Sequence, residues 1–370
     1  MDEFLASIYQ YIYILGVAII TLLYLPNYVY GKTQGIENND SNNNAYFLLI
    51  TVILFIGLRP VNGNFVDMTA YDRTLTVYAF EPFEFDWDTD NKIFDNFILW
   101  YAGTQYEHKY FFLIMASLYF IPMYFGLKRL FPGSTKLAFL TYLAGFSTFS
   151  YSVNGIKAGA AASIFILALS FRNKKWLCTL LMLISLGFHH SMILPIASCI
   201  IAFFIKKPKL YYWIWGFCLL MAILHITYFQ GIFAGMSDEQ GAKYLLSTEE
   251  TTTAHIGFRP DFILYSAVPV VMGYYFEIKN RYHLSRKYHF LIHFYILTNA
   301  IWMLCMYASF NNRIAYLSWF VYPIVIIAPF LDKHNHNPFR YVELGKAVRY
   351  HLYFTMFMVI VYYGILNLGR

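Results

Sequence analysis

Apolar, aromatic-rich runs recur along the chain from Ile8 to Leu368, and nearly all charged side chains fall in the gaps between them. Tyr110 to Leu127, Leu137 to Tyr151, Tyr211 to Phe229, Phe262 to Phe276 and Leu352 to Leu366 are examples. Each approaches the roughly 20 apolar residues that cross a hydrocarbon core of about 30 Å. Few of them alternate apolar and polar positions as a half-buried soluble element would. The pattern predicts an all-α, polytopic integral membrane bundle: one membrane domain over residues 1–370 with about 12 transmembrane helices.

The gaps sort by charge. Lys128-Arg129 with Lys136, Arg172-Asn173-Lys174-Lys175, Lys206-Lys207-Pro208-Lys209 and Lys279 to Lys287 are short and basic, and Asp332 to Arg349 is a less clean fifth case. Short loops rich in Lys and Arg mark the cytoplasmic side. Two longer gaps are acidic and belong outside: 59–108, with Asp67, Asp72, Glu81, Glu84, Asp86, Asp88, Asp90 and Asp95, and 230–261, with Asp238, Glu239, Glu249 and Glu250. The alternation closes with both termini outside. Between Trp176 and Ile205 the apolar run is broken at Gly187-Phe188-His189-His190-Ser191. At 1.5 Å per residue each half is short for a crossing, which predicts two short helices meeting at the outer face or a pair dipping into the membrane.

Composition adds little to this picture. Hydrophobic residues make up 59% and charged residues 13%, against about 25% charged in soluble domains. The net charge of +6 comes from the short inner loops and speaks to topology rather than to nucleic acid. Met1-Asp2-Glu3 lacks the basic start of a signal peptide, so the first apolar run reads as a retained helix. Cys178, Cys199, Cys218 and Cys305 show no CxxC spacing and read as packing residues, with no disulfide, metal or cofactor expected. The acidic run Asp86-Trp87-Asp88-Thr89-Asp90 has no His or Cys alongside and reads as a solvated loop.

The residues that need explaining gather on the outer side. Arg59 ends the second helix as Gly57-Leu58-Arg59-Pro60, where Pro60 stops helical geometry. Lys157 opens a helix of small residues, Ala158-Gly159-Ala160-Ala161-Ala162-Ser163, suited to close backbone packing. His189 and His190 sit at the broken turn, Arg259 and Asp261 flank Pro260 where the second outer loop re-enters, and Arg313 follows Asn311-Asn312 between two crossings. Singly, each has a plain explanation: an Arg snorkels to headgroups, adjacent histidines cap a turn, and an Asp caps a helix start. Together, basic groups at five outward helix ends run against the positive-inside bias. Such a set suits an anionic ligand such as a diphosphate.

At these residues the chain resembles the EpsG-like, Wzy-type bacterial surface-polysaccharide polymerases. The features are Gly57-Leu58-Arg59 followed by Gly63, Asp67 and Tyr71; Ile156-Lys157-Ala158-Gly159-Ala160, then Arg172-Asn173-Lys174-Lys175, then Phe188-His189-His190-Ser191; Phe258-Arg259-Pro260-Asp261-Phe262; and Phe310-Asn311-Asn312-Arg313. Lys157 and Ala158 stand where the family usually has Arg and Gln, and a Lys brings a point charge in place of a bidentate fork.

The resemblance implies a multi-pass glycosyltransferase of the bacterial cytoplasmic membrane, GT-C-like in architecture. It would join polyprenyl-diphosphate-linked oligosaccharide repeat units into O-antigen, capsule or exopolysaccharide at the outer face. A flippase and a chain-length regulator are the expected partners. Arg59, Lys157, Arg259, Arg313 and Tyr71 are the candidates for holding diphosphate and glycan; His189, His190, Asp67 and Asp261 are the candidates for base or acceptor positioning, with His189 favoured by the Phe-His-x-Ser spacing. A lipid-linked glycan flippase and a membrane O-acyltransferase are the alternatives.

Overall fold

A computed structural model describes residues 3–35, 42–234, 242–243, 246, 257–279 and 284–365. Those residues form helices and connecting turns, with no strand among them. Apolar runs of this kind satisfy their backbone groups internally only as helices when no water is at hand. The chain divides into two compact units, Met1–Met192 and Ile193–Arg370.

The first unit holds α1 (Glu3–Ser7), α2 (Tyr9–Thr33), α3 (Asn42–Gly57), α4 (Val66–Val77), α5 (Lys92–Gly103), α6 (His108–Leu130), α7 (Thr135–Leu143), α8 (Phe146–Val153), α9 (Ile156–Ser170) and α10 (Lys175–Phe188), then a 3-10 turn at His190–Met192. Its centre is the packing of α6 on α9, with α3 also on α6 and α10 on α9. Ala160, Ala161 and Ala162 are fully buried in this contact. The small residues earn their place at Gly159, where a Cβ would stand 2.4 Å from the Tyr151 carbonyl oxygen. Ser185 Oγ donates to the Ala161 carbonyl across 2.7 Å, and Ser163 Oγ to that of Tyr119.

The second unit holds α11 (Ile193–Phe204), α12 (Pro208–Ile223), α13 (Tyr228–Ala234), α14 (Pro260–Tyr274) with a π-helical extension at Tyr275–Lys279, α15 (Arg286–Leu304), α16 (Asn311–Trp319), α17 (Tyr322–Leu331) and α18 (Arg340–Met356), which runs on as a π-helix through Phe357–Ile365. α15 is the hub, packed by α11, α12, α16 and α17. Buried and half-buried polar pairs stitch the helices together: Trp215 Nε1 to Asn299 Oδ1 at 2.9 Å, Asn299 Nδ2 to Ser318 Oγ at 3.0 Å, and Trp319 Nε1 to Ser266 Oγ at 2.8 Å. Interhelical hydrogen bonds of this type hold helices where apolar burial gives no preference between protein and lipid.

The expected number of crossings is not reached by single helices. Among the described residues three stretches are long and apolar enough to span (Tyr9–Thr33, His108–Leu130 and Asn311–Leu331), or four if Pro208–Ile223 and Tyr228–Ala234, bent by 112°, count as one. The reason is local. Leu137 to Tyr151 breaks where Gly145 turns extended (ψ 136°), leaving α7 and α8, and Tyr211 to Phe229 bends between α12 and α13. Ala45–Gly57, Ile156–Ser170, Lys175–Phe188 and His190–Phe204 are apolar but shorter. The 59–108 segment folds into α4 and α5, and its acidic run lies in the irregular stretch between them, where Glu81, Glu84, Asp86, Asp88 and Asp90 are exposed. The acids of the 230–261 segment (Asp238, Glu239, Glu249 and Glu250) lie outside the described residues. The cysteines are free thiols, three of them buried.

Candidate functional site

In the first unit the candidates assemble around the first turns of α6. Arg59 follows the end of α3, which approaches α6 closely enough that a Cβ on Gly57 would meet the Leu113 Cα at 2.8 Å. Arg59 is 3% exposed, and its guanidinium lies near the faces of Phe65 and Phe112, 5.5 and 5.6 Å from their centroids. Nη1 donates to the Ile56 carbonyl and Nη2 to that of Val153 at 2.8 Å; Nε is buried without a partner. Among the described residues no carboxylate pairs with it. Burial pulls its pKa down from 12.5 to about 10, so the group stays charged at neutral pH. This differs from an outward Arg offering a free fork: both terminal nitrogens are committed to carbonyls, and Arg59 ties the end of α3 to the end of α8.

That tie sets the turn Asn154-Gly155, which delivers Lys157 to the first turn of α9. Lys157 is half-buried, with its Nζ 6.0 Å from the Phe94 ring centroid. Tyr71 packs edge-on to the same ring at 5.5 Å, and Asp67 precedes Tyr71 by one turn of α4, on the same helix face. Phe94 also meets Phe111 of α6 at 6.4 Å. Arg59, Lys157, Tyr71 and Asp67 are therefore linked through Phe94, Phe111 and Phe112, three aromatic residues that sequence reasoning passed over because such residues abound along the chain.

The histidines sit at the break between α10 and the 3-10 turn. His189 is extended (φ −152°, ψ 116°), ending α10. Its Nδ1 accepts from the Ser191 N–H at 3.2 Å, so the neutral ring carries its proton on Nε2. It presents a donor, not a basic nitrogen, at that end. The His190 backbone N–H donates to Asn91 Oδ1 at 2.9 Å, which fastens the turn to the start of α5, one residue before Lys92 and three before Phe94. Asn91 was not singled out from the sequence; 99 positions separate it from His190, and no pattern joins them.

In the second unit Arg259 and Asp261 form a closed ion pair. Nε donates to Oδ1 at 3.0 Å and Nη2 to Oδ2 at 2.6 Å, the side chains being 14% and 7% exposed. Tyr363, in the π-helix after α18, donates to Asp261 Oδ2 at 2.6 Å and accepts from Arg259 Nη2 at 2.7 Å. The carboxylate is thus spoken for, which disfavours Asp261 as a proton acceptor. The Arg259 backbone N–H points to Met306 Sδ at 3.4 Å, and the Met306 carbonyl accepts from Asn311 Nδ2 at 2.9 Å. Arg313 is exposed two residues further on, its guanidinium 5.0 Å from the ring of Phe310, which is left-handed at φ 52°. Arg259, Asp261 and Arg313 therefore share one neighbourhood, the turn between α15 and α16.

Among the described residues no group of three or more His, Cys, Asp or Glu is arranged to hold a metal ion. Compared with known proteins, the chain matches no curated protein and no solved structure. The model of the EpsG family matches residues 44–368, nearly the whole chain.

Proposed function

The chain belongs to the EpsG family, a Wzy-like family of polysaccharide polymerases, and from that premise we propose that it joins polyprenyl-diphosphate-linked oligosaccharide repeat units at the outer face of the bacterial cytoplasmic membrane. The acceptor sugar hydroxyl attacks the anomeric carbon of the donor glycan. The bond from that carbon to the diphosphate breaks, and the polyprenyl diphosphate leaves with the electron pair. A general base takes the acceptor's proton.

What supports this reading is the gathering of Arg59, Lys157 and Tyr71, from three elements distant in sequence, about the first turns of α6. Arg59 is a buried cation with no carboxylate partner among the described residues, a costly arrangement that points to a role in supplying positive potential or position. We assign it both: it fixes the Lys157 turn and adds charge behind it. Lys157 and the His189 Nε2–H then stabilise negative charge developing on the leaving diphosphate. Tyr71 offers a ring and hydroxyl to the glycan, and Asp67 and His190 position the acceptor. Arg313 is an exposed cation of the second unit, beside the Arg259–Asp261 pair. Arg259 is held by Asp261 and contributes to a diphosphate only where that carboxylate yields.

The test is a deletion strain paired with purified protein in liposomes. Loss of long chains with single lipid-linked units still made, together with a ladder of products from a lipid-linked repeat unit in liposomes, supports polymerase action. Full-length but unmodified glycan in the deletion strain indicates an O-acyltransferase instead, and accumulation of units on the inner leaflet indicates a flippase.

A further inference from the structure

The acceptor hydroxyl needs a base, and two of the candidates read from the sequence are poorly disposed to be one: the His189 Nδ1 lone pair is used by its own turn, and the Asp261 carboxylate is clamped by Arg259 and Tyr363. A histidine that the sequence did not single out has the opposite arrangement. His108 opens α6, and its Nδ1 lies 2.6 Å from Oδ1 of Asp72, on α4. An ionised carboxylate only accepts, so Nδ1 carries the proton and Nε2 keeps its lone pair. The Asp thus fixes the tautomer that a base requires, as the buried carboxylate does in hydrolytic triads.

We propose that His108 is the general base of glycosyl transfer and that Asp72 is its positioning residue. The inference rests on the polymerase reading and extends it. His108 Nε2 takes the proton of the acceptor hydroxyl as that oxygen bonds to the donor's anomeric carbon and the polyprenyl diphosphate departs. The imidazolium afterwards gives the proton to solvent.

Three observations carry this. The pair is reachable, with His108 30% and Asp72 33% exposed, whereas a carboxylate–imidazole pair serving only as core would be covered. It sits among the other candidates: Asp72 follows Tyr71, and Phe111 and Phe112, one turn after His108, touch the Phe94 and Arg59 groups. Finally, the two residues come from different helices, so their orientation is fixed by α4 and α6 rather than by one flexible turn.

The plain alternative is a tether joining α4 to α6, and two variants separate it from catalysis. In His108→Asn the amide NH2 replaces Nδ1–H and still donates to Asp72, but the Nε2 lone pair is gone. In Asp72→Asn the amide keeps a hydrogen bond to Nδ1, either donating to it, which puts the proton on Nε2, or accepting from Nδ1–H without the carboxylate's charge to steady the imidazolium. Both variants keep the tether; the first removes the base and the second misplaces or weakens it. With purified protein in liposomes and a lipid-linked repeat unit, each variant is expected to lower kcat by about 10²- to 10⁴-fold while KM and detergent melting temperature stay near wild type. Wild-type rates in both variants would overturn the assignment, because a tether alone survives both changes. A wild-type protein that makes no ladder defeats the polymerase reading itself, an outcome distinct from active His108→Asn and Asp72→Asn proteins beside an active wild type.

Discussion

His189 gives the sharpest test of the reading that it donates rather than accepts. The side chain is assigned two separable roles: Nδ1 receives the Ser191 N–H at 3.2 Å, and the proton on Nε2 is the donor proposed for an anionic oxygen. The turn contact is at the long edge of ordinary hydrogen bonds and contributes about 0.5–1.5 kcal/mol, which appears in stability. A hydrogen bond to a charged group contributes about 1.5–3 kcal/mol, or roughly 10- to 150-fold in rate when it forms at the transition state. Asn and Gln split the two functions. His189→Asn places a carbonyl oxygen near the Nδ1 position and keeps the turn; His189→Gln places an NH2 near the Nε2 position and keeps the donor.

Polymerisation of a lipid-linked repeat unit in liposomes, followed by product ladders over time, reads the rate, and melting in detergent reads the turn. His189→Ala and His189→Asn are expected to fall about 10- to 150-fold, with Asn melting near wild type. His189→Gln is expected to keep a rate within about tenfold of wild type, since it retains the donor. Were His189 the base, neither amide would restore the rate and all three variants would lose about 10²- to 10⁴-fold. Equal and severe loss in Ala, Asn and Gln therefore refutes the donor role; wild-type rate in Ala refutes any role at this step.

The remaining predictions concern topology, packing and the second unit. In a background without the four native cysteines, Glu84→Cys should react with an impermeant thiol reagent on intact cells, and Asn173→Cys only after the membrane is opened; the reverse pattern overturns the assigned sidedness. Gly159→Ala drives a methyl into the Tyr151 carbonyl oxygen and should destabilise by about 1–3 kcal/mol, read as a lower melting temperature in detergent; an unchanged melting point contradicts the close α8–α9 approach. Asp261→Ala strands a buried guanidinium and should destabilise by about 3–5 kcal/mol, whereas the double change Arg259→Met with Asp261→Leu should recover much of the loss. If the single variant melts like wild type, the ion pair is not a structural unit.

Much of the helical layout was legible because lipid imposes a simple rule: backbone groups must be satisfied within the helix, so apolar runs declare themselves. The breaks at Pro60 and at His189 were legible for the same kind of reason, since the helix ends there. The number of spans was not. A continuous apolar run does not reveal that Gly145 will turn extended or that the chain will bend by 112° after Ile223; both depend on what packs alongside. The pairs Asp72–His108 and Asn91–His190 were hidden by separations of 36 and 99 residues, which no local periodicity spans.

Arg59 shows where reading by residue type stops. An Arg at the end of an apolar helix suits three roles equally: snorkelling to headgroups, gripping a phosphate, or bonding the carbonyls that a helix end leaves open. The sequence pattern Gly-x-Arg-Pro is the same for all three. Exposure decides among them, because the first two require the terminal nitrogens to reach the surface, and at 3% exposure with Nη1 and Nη2 on Ile56 and Val153 they do not. The guanidinium is thus a fastening whose charge no carboxylate among the described residues cancels, and the turn it fastens is the one that carries Lys157. A Lys at 157 in place of the family's usual Arg is then less of a loss. The cation behind it is already fixed, and the residue in front has only to supply a point charge.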